Sequence, residues 1–126
     1  MCFQVRDVLD SMHKDAKGKE KNKNGEFLLR VDGGATVNNL LMQTQADILG
    51  SPVVRPAYIE TTALGAAYAA GLAAGIWTED DIFNSDEKIK DARIFHLAIA
   101  MELRKKKLKS WAKAIERTFG LADLSL

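Results

Sequence analysis

The chain has 126 residues, of which 47% are hydrophobic and 28% are charged, with a formal net charge of +1. These proportions predict one folded, soluble domain and exclude wholesale disorder, which needs few apolar residues and a high net charge. A near-neutral chain has no overall field that favours nucleic acid or a membrane, so we expect neither partner. The single cysteine, Cys2, excludes an intrachain disulfide and a thiolate metal cluster, and it favours a reducing, cytoplasmic compartment.

The chain opens with a predicted helix followed by a polar loop. Apolar residues recur at helical spacing from Phe3 to Ala16. The next segment, Lys17 to Glu26 (17–26), contains no apolar side chain and predicts a solvated loop. Its lysines are expected to face water, because a nucleic-acid patch would need aromatic or arginine neighbours.

A predicted strand and helix follow the loop. The short apolar run from Phe27 to Val31 ends at a glycine pair and predicts a buried strand. From Ala35 the apolar spacing becomes helical, and Gly50 is expected to end that helix in a left-handed conformation. The predicted inner face of this helix consists of Val37, Leu40, Leu41, Thr44 and Ile48.

The middle of the chain predicts a second strand and an unusually small-faced helix. The strand is "VVR", between Pro52 and Pro56. The helix runs from Glu60 to Gly75, and alanine and glycine cover almost all of its faces. Small faces allow close backbone packing, so we expect burial on more than one side. Contacts of this kind often form the interface between two lobes that hinge.

Three further elements are predicted near the end of the chain. The stretch "TEDDIF" is typical of a short capped helix, and Ala92 to Leu97 predicts an edge strand. Ala100 to Phe119 predicts a closing helix whose cations, Arg104 among them, mostly face outward. Its predicted inner stripe consists of Met101, Leu108, Trp111, Ala112, Ile115 and Phe119. We expect His96 to be partly buried and His13 to face solvent.

This order of elements predicts an α/β fold with helices packed on a small sheet. Two or three strands leave much of a sheet as open edge. We therefore expect the chain to be a lobe of something larger or to pair with another chain.

The corner "LRVDGGATVNN", Leu29 to Asn39, is the main candidate site. A strand that enters a Gly-Gly turn and then a helix brings backbone N–H groups close to a ligand, since glycine lacks Cβ. Asn38 and Asn39 are expected in the first helical turn, where an amide can offer donors and an acceptor to a purine or a ribose. The alternative is a tight turn that needs only positive φ, with Asp32 capping the helix. The pattern matches neither G-x-G-x-x-G nor the phosphate loop.

Two stretches of the sequence, taken together, resemble a known family. "LRVDGGATVNNLLMQTQADILGSPVVRP" followed by "ETTALGAAYAAGLAAGIW" resembles the carboxyl-terminal domain of the glycerol kinases, in the FGGY carbohydrate kinase family, and is most similar to plant members. The similarity runs from "CFQVRDVLDSM" to "AIERTF". It departs from the family pattern at "FHLA", Phe95 to Ala98, where family members usually carry Phe-x-Pro.

The resemblance implies a fold, cofactors and binding residues. It implies a partial actin-like (ribonuclease H-like) ATPase domain, with ATP and Mg²⁺ held between two such domains and the γ-phosphoryl passed to glycerol. The Gly-Gly corner would be the adenosine motif: Gly34 would lie against adenosine, Asn38 would contact adenine, and Gly33 and Ala35 would shape the turn. The helix from Thr62 to Gly75 would pack at the interdomain hinge.

The resemblance also implies a division of labour. The family's glycerol-binding residues, phosphate-gripping segments and catalytic carboxylate have no counterpart in residues 1–126, so no catalytic or metal-binding residue is expected here. The whole chain is expected to be a partial carboxyl-terminal kinase domain, with the amino-terminal kinase domain absent, and to be inactive alone. The alternative is a non-catalytic module that binds adenine nucleotide weakly, or that docks on a kinase or on a second copy of itself.

Overall fold

The computed structural model describes residues 1–18, 25–83 and 91–123. In chain order they form α1 (Cys2–Asp15), β1 (Leu29–Arg30), a 3₁₀ segment (Gly34–Val37), α2 (Asn39–Leu49), β2 (Val53–Arg55), α3 (Thr61–Ala73), α4 (Glu79–Phe83), β3 (Arg93–Phe95), α5 (Met101–Glu116) and a second 3₁₀ turn (Leu121–Asp123). This order confirms the predicted α/β class. Of the predicted loop 17–26, residues 19–24 lie outside the described residues. Within the described ranges, no helix has the length and apolar character needed to cross a membrane.

The sheet has three strands in the order β1-β2-β3, with β2 in the centre. β1 runs parallel to β2, which places Leu29 opposite Val53, and β3 runs antiparallel, which places Phe95 opposite Val53 as well. These three side chains share one face of the sheet, and α2 packs over that face. The resulting core consists of Met42, Ala46, Val53 and Phe95, with Leu29, Val31 and Leu41 partly buried against it.

The opposite face of the sheet is less well covered, which corrects one prediction. That face carries Arg30 and Ile94, both exposed, on either side of Val54, which is buried. The predicted buried strand from Phe27 to Val31 is only β1, with Leu29 half-buried. α2 is the helix of the described chain that packs closely on the sheet, so the face beneath it is buried more completely than the opposite face.

The inner face predicted for α2 is wrong at two of its five positions, while Leu41 and Thr44 are half-buried. Val37 is 62% exposed and Leu40 is 75% exposed, although Ile48 is buried as expected. The chain makes one 3₁₀ turn before α2 begins at Asn39, and a 3₁₀ segment turns more tightly than an α-helix. Val37 precedes that junction and therefore does not share a face with the apolar positions of α2, whereas Leu40 lies in the exposed first turn of α2. The residues that α2 buries are Met42, Gln45, Ala46, Ile48 and Leu49.

The helix α3 is mostly exposed, contrary to the expected burial on more than one side. Gly71 is its only buried residue, and a Cβ added there would lie 2.1 Å from the Trp77 ring. Trp77 also makes an edge-to-face contact with Tyr68. Within the part of the chain that the structure describes, the carboxyl end of α3 is thus covered by Trp77, which follows the helix. Its packing at an interdomain hinge stays a prediction.

The inner stripe predicted for α5 is also wrong at several positions. Met101 and Phe119 are exposed, as are Ala112 and Ile115. The half-buried residues of α5 are Arg104, Leu108 and Trp111. Trp111 stacks on Phe3 of α1, with 5.2 Å between ring centroids, and its indole N–H donates to Asp7. Arg104, predicted to face outward, points at the end of α2, because its long stem can cross the gap between the helices.

Both histidine predictions are wrong. His96 is exposed, because it lies just past the end of edge strand β3. His13 is half-buried, because it packs edge-on against the ring of Phe27 with 4.6 Å between centroids.

Candidate functional site

The backbone at Gly33 adopts a conformation that glycine alone tolerates well. Its φ is 87° and its ψ is 167°, where a side chain would clash. The Gly33 N–H donates to the carbonyl of Ile59 at 2.9 Å. The Gly33 carbonyl in turn accepts from the Thr36 N–H at 3.0 Å and from the Thr36 hydroxyl at 2.7 Å. The tight-turn interpretation therefore explains Gly33 completely.

The next residue, Gly34, is not explained in this way. Its φ is not positive, and a Cβ added there meets nothing within 4 Å in the described part of the chain. Gly34 is exposed and begins the 3₁₀ segment. Neither the backbone nor the packing of the described residues requires a glycine here. A ligand that approaches the backbone closely would require one.

Asn38 is the amino-terminal cap of α2. Its Oδ1 accepts from the Leu41 N–H at 3.1 Å, and this contact fixes which end of the amide is oxygen. For its Nδ2 group no partner is present among residues 1–18, 25–83 and 91–123, and the residue is exposed. The cap therefore presents Asn38 to a ligand as a donor. Aromatic nitrogen acceptors, such as N1, N3 and N7 of a purine, suit such a donor.

Arg55 is a part of this corner that the sequence analysis missed. Its Nη1 donates to the carbonyl of Thr36 at 2.7 Å and to Oδ1 of Asn39 at 3.0 Å. The guanidinium lies 5.3 Å from the centre of the Phe95 ring. The signal that could have revealed it is the arginine that ends the otherwise apolar strand "VVR", beside the corner strand.

Asp32 does not cap the helix that follows the glycines, contrary to the alternative considered above. Its carboxylate accepts a hydrogen bond from the hydroxyl of Thr61, in the first turn of α3. Together with the bond from Gly33 to Ile59, this contact ties the corner to the start of α3. Asp32 is therefore engaged in a structural contact.

Two grooves border the corner, and the predicted ligand residues line neither. Asp32 and Thr61 line an apolar groove of about 400 Å³ on the open face of the sheet. Val37 and Arg55 line a second groove of about 290 Å³. Gly34 and Asn38 belong to neither lining and are exposed, so they form an open surface. Such a surface can form one wall of a ligand site.

The structure brings together the four residues assigned by resemblance. Gly33, Gly34 and Ala35 form the turn, and Asn38 follows it at the start of α2. Their contact with a ligand stays a prediction. The described residues contain no cluster of three or more histidine, cysteine, aspartate or glutamate side chains that could hold a metal ion.

Comparisons with known proteins give a consistent family. Residues 1–74 match the sequence model of the FGGY family of carbohydrate kinases, C-terminal domain. The chain is 70% identical over 128 residues to a glycerol kinase of Arabidopsis thaliana, covering 100% of this chain and 24% of that protein. It is 50% identical over 125 residues to glycerol kinase 2 of Pseudomonas aeruginosa, covering 98% of this chain and 23% of that protein.

A solved structure adds the fold. The crystal structure of Plasmodium falciparum glycerol kinase with ADP matches with a TM-score of 0.72 and 36% identity, covering 94% of this chain and 22% of that chain. The match confirms the predicted actin-like fold. The chain thus spans about a quarter of the length of the relatives it matches.

Proposed function

Because this chain belongs to the FGGY family of carbohydrate kinases, we propose that it supplies the adenosine-binding corner of an ATP-dependent glycerol kinase. Support comes from the 70% identity to the glycerol kinase of Arabidopsis thaliana across the whole chain. The structural relative from Plasmodium falciparum, a glycerol kinase with ADP, adds support for an adenine nucleotide as the ligand.

The single observation that carries the proposal is Gly34. The described chain needs no glycine at this position for its own backbone or packing, but a nucleotide lying on the turn would need one. In this proposal adenosine lies against Gly34, while Gly33 and Ala35 set the turn. Asn38 then donates its Nδ2 group to an acceptor on the adenine ring, because its Oδ1 is held by the Leu41 N–H.

The chemistry of the other end of ATP belongs, in this proposal, to the rest of a complete kinase. Phosphoryl transfer needs a positioned nucleophile, Mg²⁺ and groups that neutralise phosphate charge. The corner described here offers neutral donors to a nucleoside. We therefore assign glycerol binding, Mg²⁺ and catalysis to the complete cytoplasmic enzyme. This chain alone is expected to give no ADP release with glycerol above a blank without protein.

The test uses a chimera in which this chain replaces the matching segment of the Arabidopsis thaliana glycerol kinase. Asn38→Asp keeps a capping oxygen but removes the amide donor, whereas Asn38→Ala removes both. We expect each to raise the KM for ATP about ten-fold, the value of one lost hydrogen bond. Only Asn38→Ala should also lower stability, by about 1 kcal/mol. The KM for glycerol is the internal control and should stay unchanged.

One result would overturn the proposal. If Asn38→Asp and Asn38→Ala both leave the KM for ATP at the value of the unmodified chimera, the corner does not hold the nucleotide. A rise in the KM for glycerol that equals the rise for ATP would show a general disturbance of the enzyme instead.

A second candidate is a stand-alone module that binds adenine nucleotide weakly. The observation that favours it is that the whole corner is built from described residues of this chain and is exposed. Calorimetric titration of the isolated chain with ATP is expected to give a Kd weaker than about 1 mM, because the contacts to the phosphates are missing. Equal heats for the chain and for Asn38→Ala would rule this module out.

A further inference from the structure

We propose that Arg55 is a positioning residue for the nucleotide corner, holding the backbone on both sides of Asn38 in the conformation that binds. This inference rests on the proposed function of the corner. It assigns a role to a residue that the pattern of glycines and asparagines does not include.

The hydrogen bonds of Arg55 bracket Asn38. The Nη1 atom donates to the carbonyl of Thr36 at 2.7 Å and to Oδ1 of Asn39 at 3.0 Å. Thr36 precedes Asn38 by two residues and Asn39 follows it, so one nitrogen atom joins the 3₁₀ segment to the first turn of α2. Charge-assisted hydrogen bonds of this kind are stronger than neutral ones and fix geometry.

The guanidinium of Arg55 is itself held in place. Arg55 is half-buried at the end of central strand β2, and its guanidinium lies 5.3 Å from the centre of the Phe95 ring. Phe95 is a core residue with 5% exposure, so the ring is a rigid support. A cation near an aromatic ring is attracted by the negative ring face. Contacts thus link the core to the corner, first from Phe95 to Arg55 and then from Arg55 to Thr36 and Asn39.

Arg93 provides a matched control within the same sheet. It lies opposite Arg55 in the register of β2 and β3, and its guanidinium is 4.8 Å from the same Phe95 ring. No hydrogen bond joins Arg93 to the corner among the described residues. Replacing Arg93 therefore removes an arginine from the ring without removing a bond to Thr36 or Asn39.

The corner depends on such support because most of it is exposed. Thr36 is the buried residue of the 3₁₀ segment, while Gly34, Ala35 and Val37 are exposed. Exposed short segments with few contacts open locally at low free energy. Without the bonds from Arg55, the segment would sample more conformations, and nucleotide binding would have to restrict them again.

The experiment compares Arg55→Met, Arg55→Lys and Arg93→Met in the chimera with the Arabidopsis thaliana glycerol kinase. Arg55→Met keeps an apolar stem on Phe95 and removes both hydrogen bonds. We expect it to raise the KM for ATP about ten-fold, in line with the loss of a charged hydrogen bond. The KM for glycerol should change by less than about two-fold. Arg55→Lys keeps the charge but not the planar guanidinium, so it should recover only part of the loss. Arg93→Met should leave the KM for ATP within about two-fold of its starting value.

A double variant tests whether Arg55 acts through Asn38. If it does, Asn38→Asp should raise the KM for ATP much less in the Arg55→Met background than in the unmodified chimera, because the donor is already misplaced. Fully multiplicative effects of the two substitutions would overturn the positioning role. Arg55→Leu, which also removes both hydrogen bonds, replaces Arg55→Met in this cycle if the methionine variant does not fold.

The remaining outcomes separate this inference from the proposed function. If Asn38→Asp raises the KM for ATP and Arg55→Met does not, the corner binds nucleotide but Arg55 is only structural, and the inference is wrong. If Arg93→Met and Arg55→Met raise it equally, the ring contact or the charge matters and the bonds to Thr36 and Asn39 do not, so the inference is also wrong. If Asn38→Asp has no effect, the proposed function itself fails.

Discussion

The two ends of α2 are capped in different ways. At its carboxyl end, Gly50 takes a left-handed conformation with a φ of 72°, and its N–H donates to Ala46 at 2.8 Å. Arg104 then donates to the carbonyls of Ile48 at 3.0 Å and Leu49 at 2.7 Å. At its amino end, the Asn38 side chain satisfies one N–H group, and the turn before it is open at Gly34.

We call the carboxyl end of α2 the closed end, because side chains of the described residues occupy its carbonyls. We call the amino end the open end, because some of its N–H groups stay accessible to a ligand. A helix carries partial negative charge at its carboxyl end and partial positive charge at its amino end. The described chain places a guanidinium on the negative end of α2, but it places no acidic side chain in the first turn. Because the open end keeps its donors and its partial positive charge, it suits a ligand rich in acceptors, and an adenine nucleotide is one.

The largest expected effects come from substituting the two glycines before the open end, Gly33 and Gly34, one at a time. Gly33→Ala should destabilise the isolated chain by about 2 kcal/mol, because its backbone conformation strains any side chain. Gly34→Ala should leave stability unchanged or raise it by about 0.5 kcal/mol, because its backbone and surroundings accept a Cβ. Urea unfolding of the two variants measures both effects.

The same pair should show the reverse order in ATP binding. In the chimera, Gly34→Ala is expected to raise the KM for ATP about ten-fold, because the added methyl group occupies the space of the nucleoside. A Gly34→Ala variant with unchanged KM would show that the space beside Gly34 is merely empty. Loss of stability in Gly34→Ala would show that the two glycines share one structural role.

The next effect concerns the closed end. Arg104→Met should destabilise the isolated chain by about 1 to 2 kcal/mol, because it leaves the carbonyls of Ile48 and Leu49 without their charged partner. Burial, helped by the neighbouring Arg6 charge, lowers the pKa of Arg104, so this side chain has given up part of its hydration. In the chimera the KM for ATP should stay within about two-fold of its starting value, since the nucleotide corner lies at the other end of α2.

Lys105→Met is the matched control for Arg104→Met. Lys105 follows Arg104 on the exposed side of α5, where its ammonium lies 3.4 Å from Glu102. An exposed ion pair contributes little, so the urea midpoint should hardly move. Equal destabilisation by the two substitutions would mean that helix α5, and not the bond to α2, is what Arg104 stabilises.

The sequence predicts the order of the elements well and their buried faces poorly. Strand β2 lies between its two prolines as predicted, and Gly50 ends α2, because proline and glycine act locally on the backbone. The inner face of α2 fails at Val37 because the 3₁₀ turn before Asn39 shifts the helical phase, and at Leu40 because this residue lies in the exposed first turn of α2. Arg104 fails because its charge predicts exposure, whereas the carbonyls it reaches exist only once α2 and α5 pack together.

The residues of the candidate site likewise divide into those that the sequence predicts and those that it does not. The glycine pair and Asn38 can be read from a local pattern, and the resemblance to the FGGY family assigns them a role. Arg55 is far from them in the sequence, and only the pairing of β1 with β2 brings its strand beside the corner. The predicted burial of α3 also fails, since Gly71, beneath the Trp77 ring, is the one residue of this small-faced helix that is buried within the described chain.

The smallest expected effect concerns α4, whose amino end is capped by hydrogen bonds between two neighbouring residues, Thr78 and Asp81. Thr78 donates its N–H and its hydroxyl to Oδ2 of Asp81, each at 2.8 Å, and the Asp81 N–H donates back to Thr78 at 3.3 Å. The bond from the Thr78 N–H, followed by that from its hydroxyl, lowers the pKa of Asp81 below its ordinary value of 3.8. A depressed carboxyl pKa contributes stability above that ordinary value, and the contribution disappears as the pH falls through the lower, folded-state pKa.

Asp81→Asn should therefore weaken the chain slightly at neutral pH and remove part of its loss of stability below about pH 4. Urea midpoints across the acid range measure the difference, and Thr78→Ala should return the pKa of Asp81 towards its ordinary value in an NMR titration. Identical acid profiles for the chain and for Asp81→Asn would mean that the cap of α4 does not stabilise the folded state. The hydrogen bonds at the amino end of α4 would then add nothing measurable to the free energy of unfolding. Their short distances would not be enough to call this end more stable than the amino end of α2.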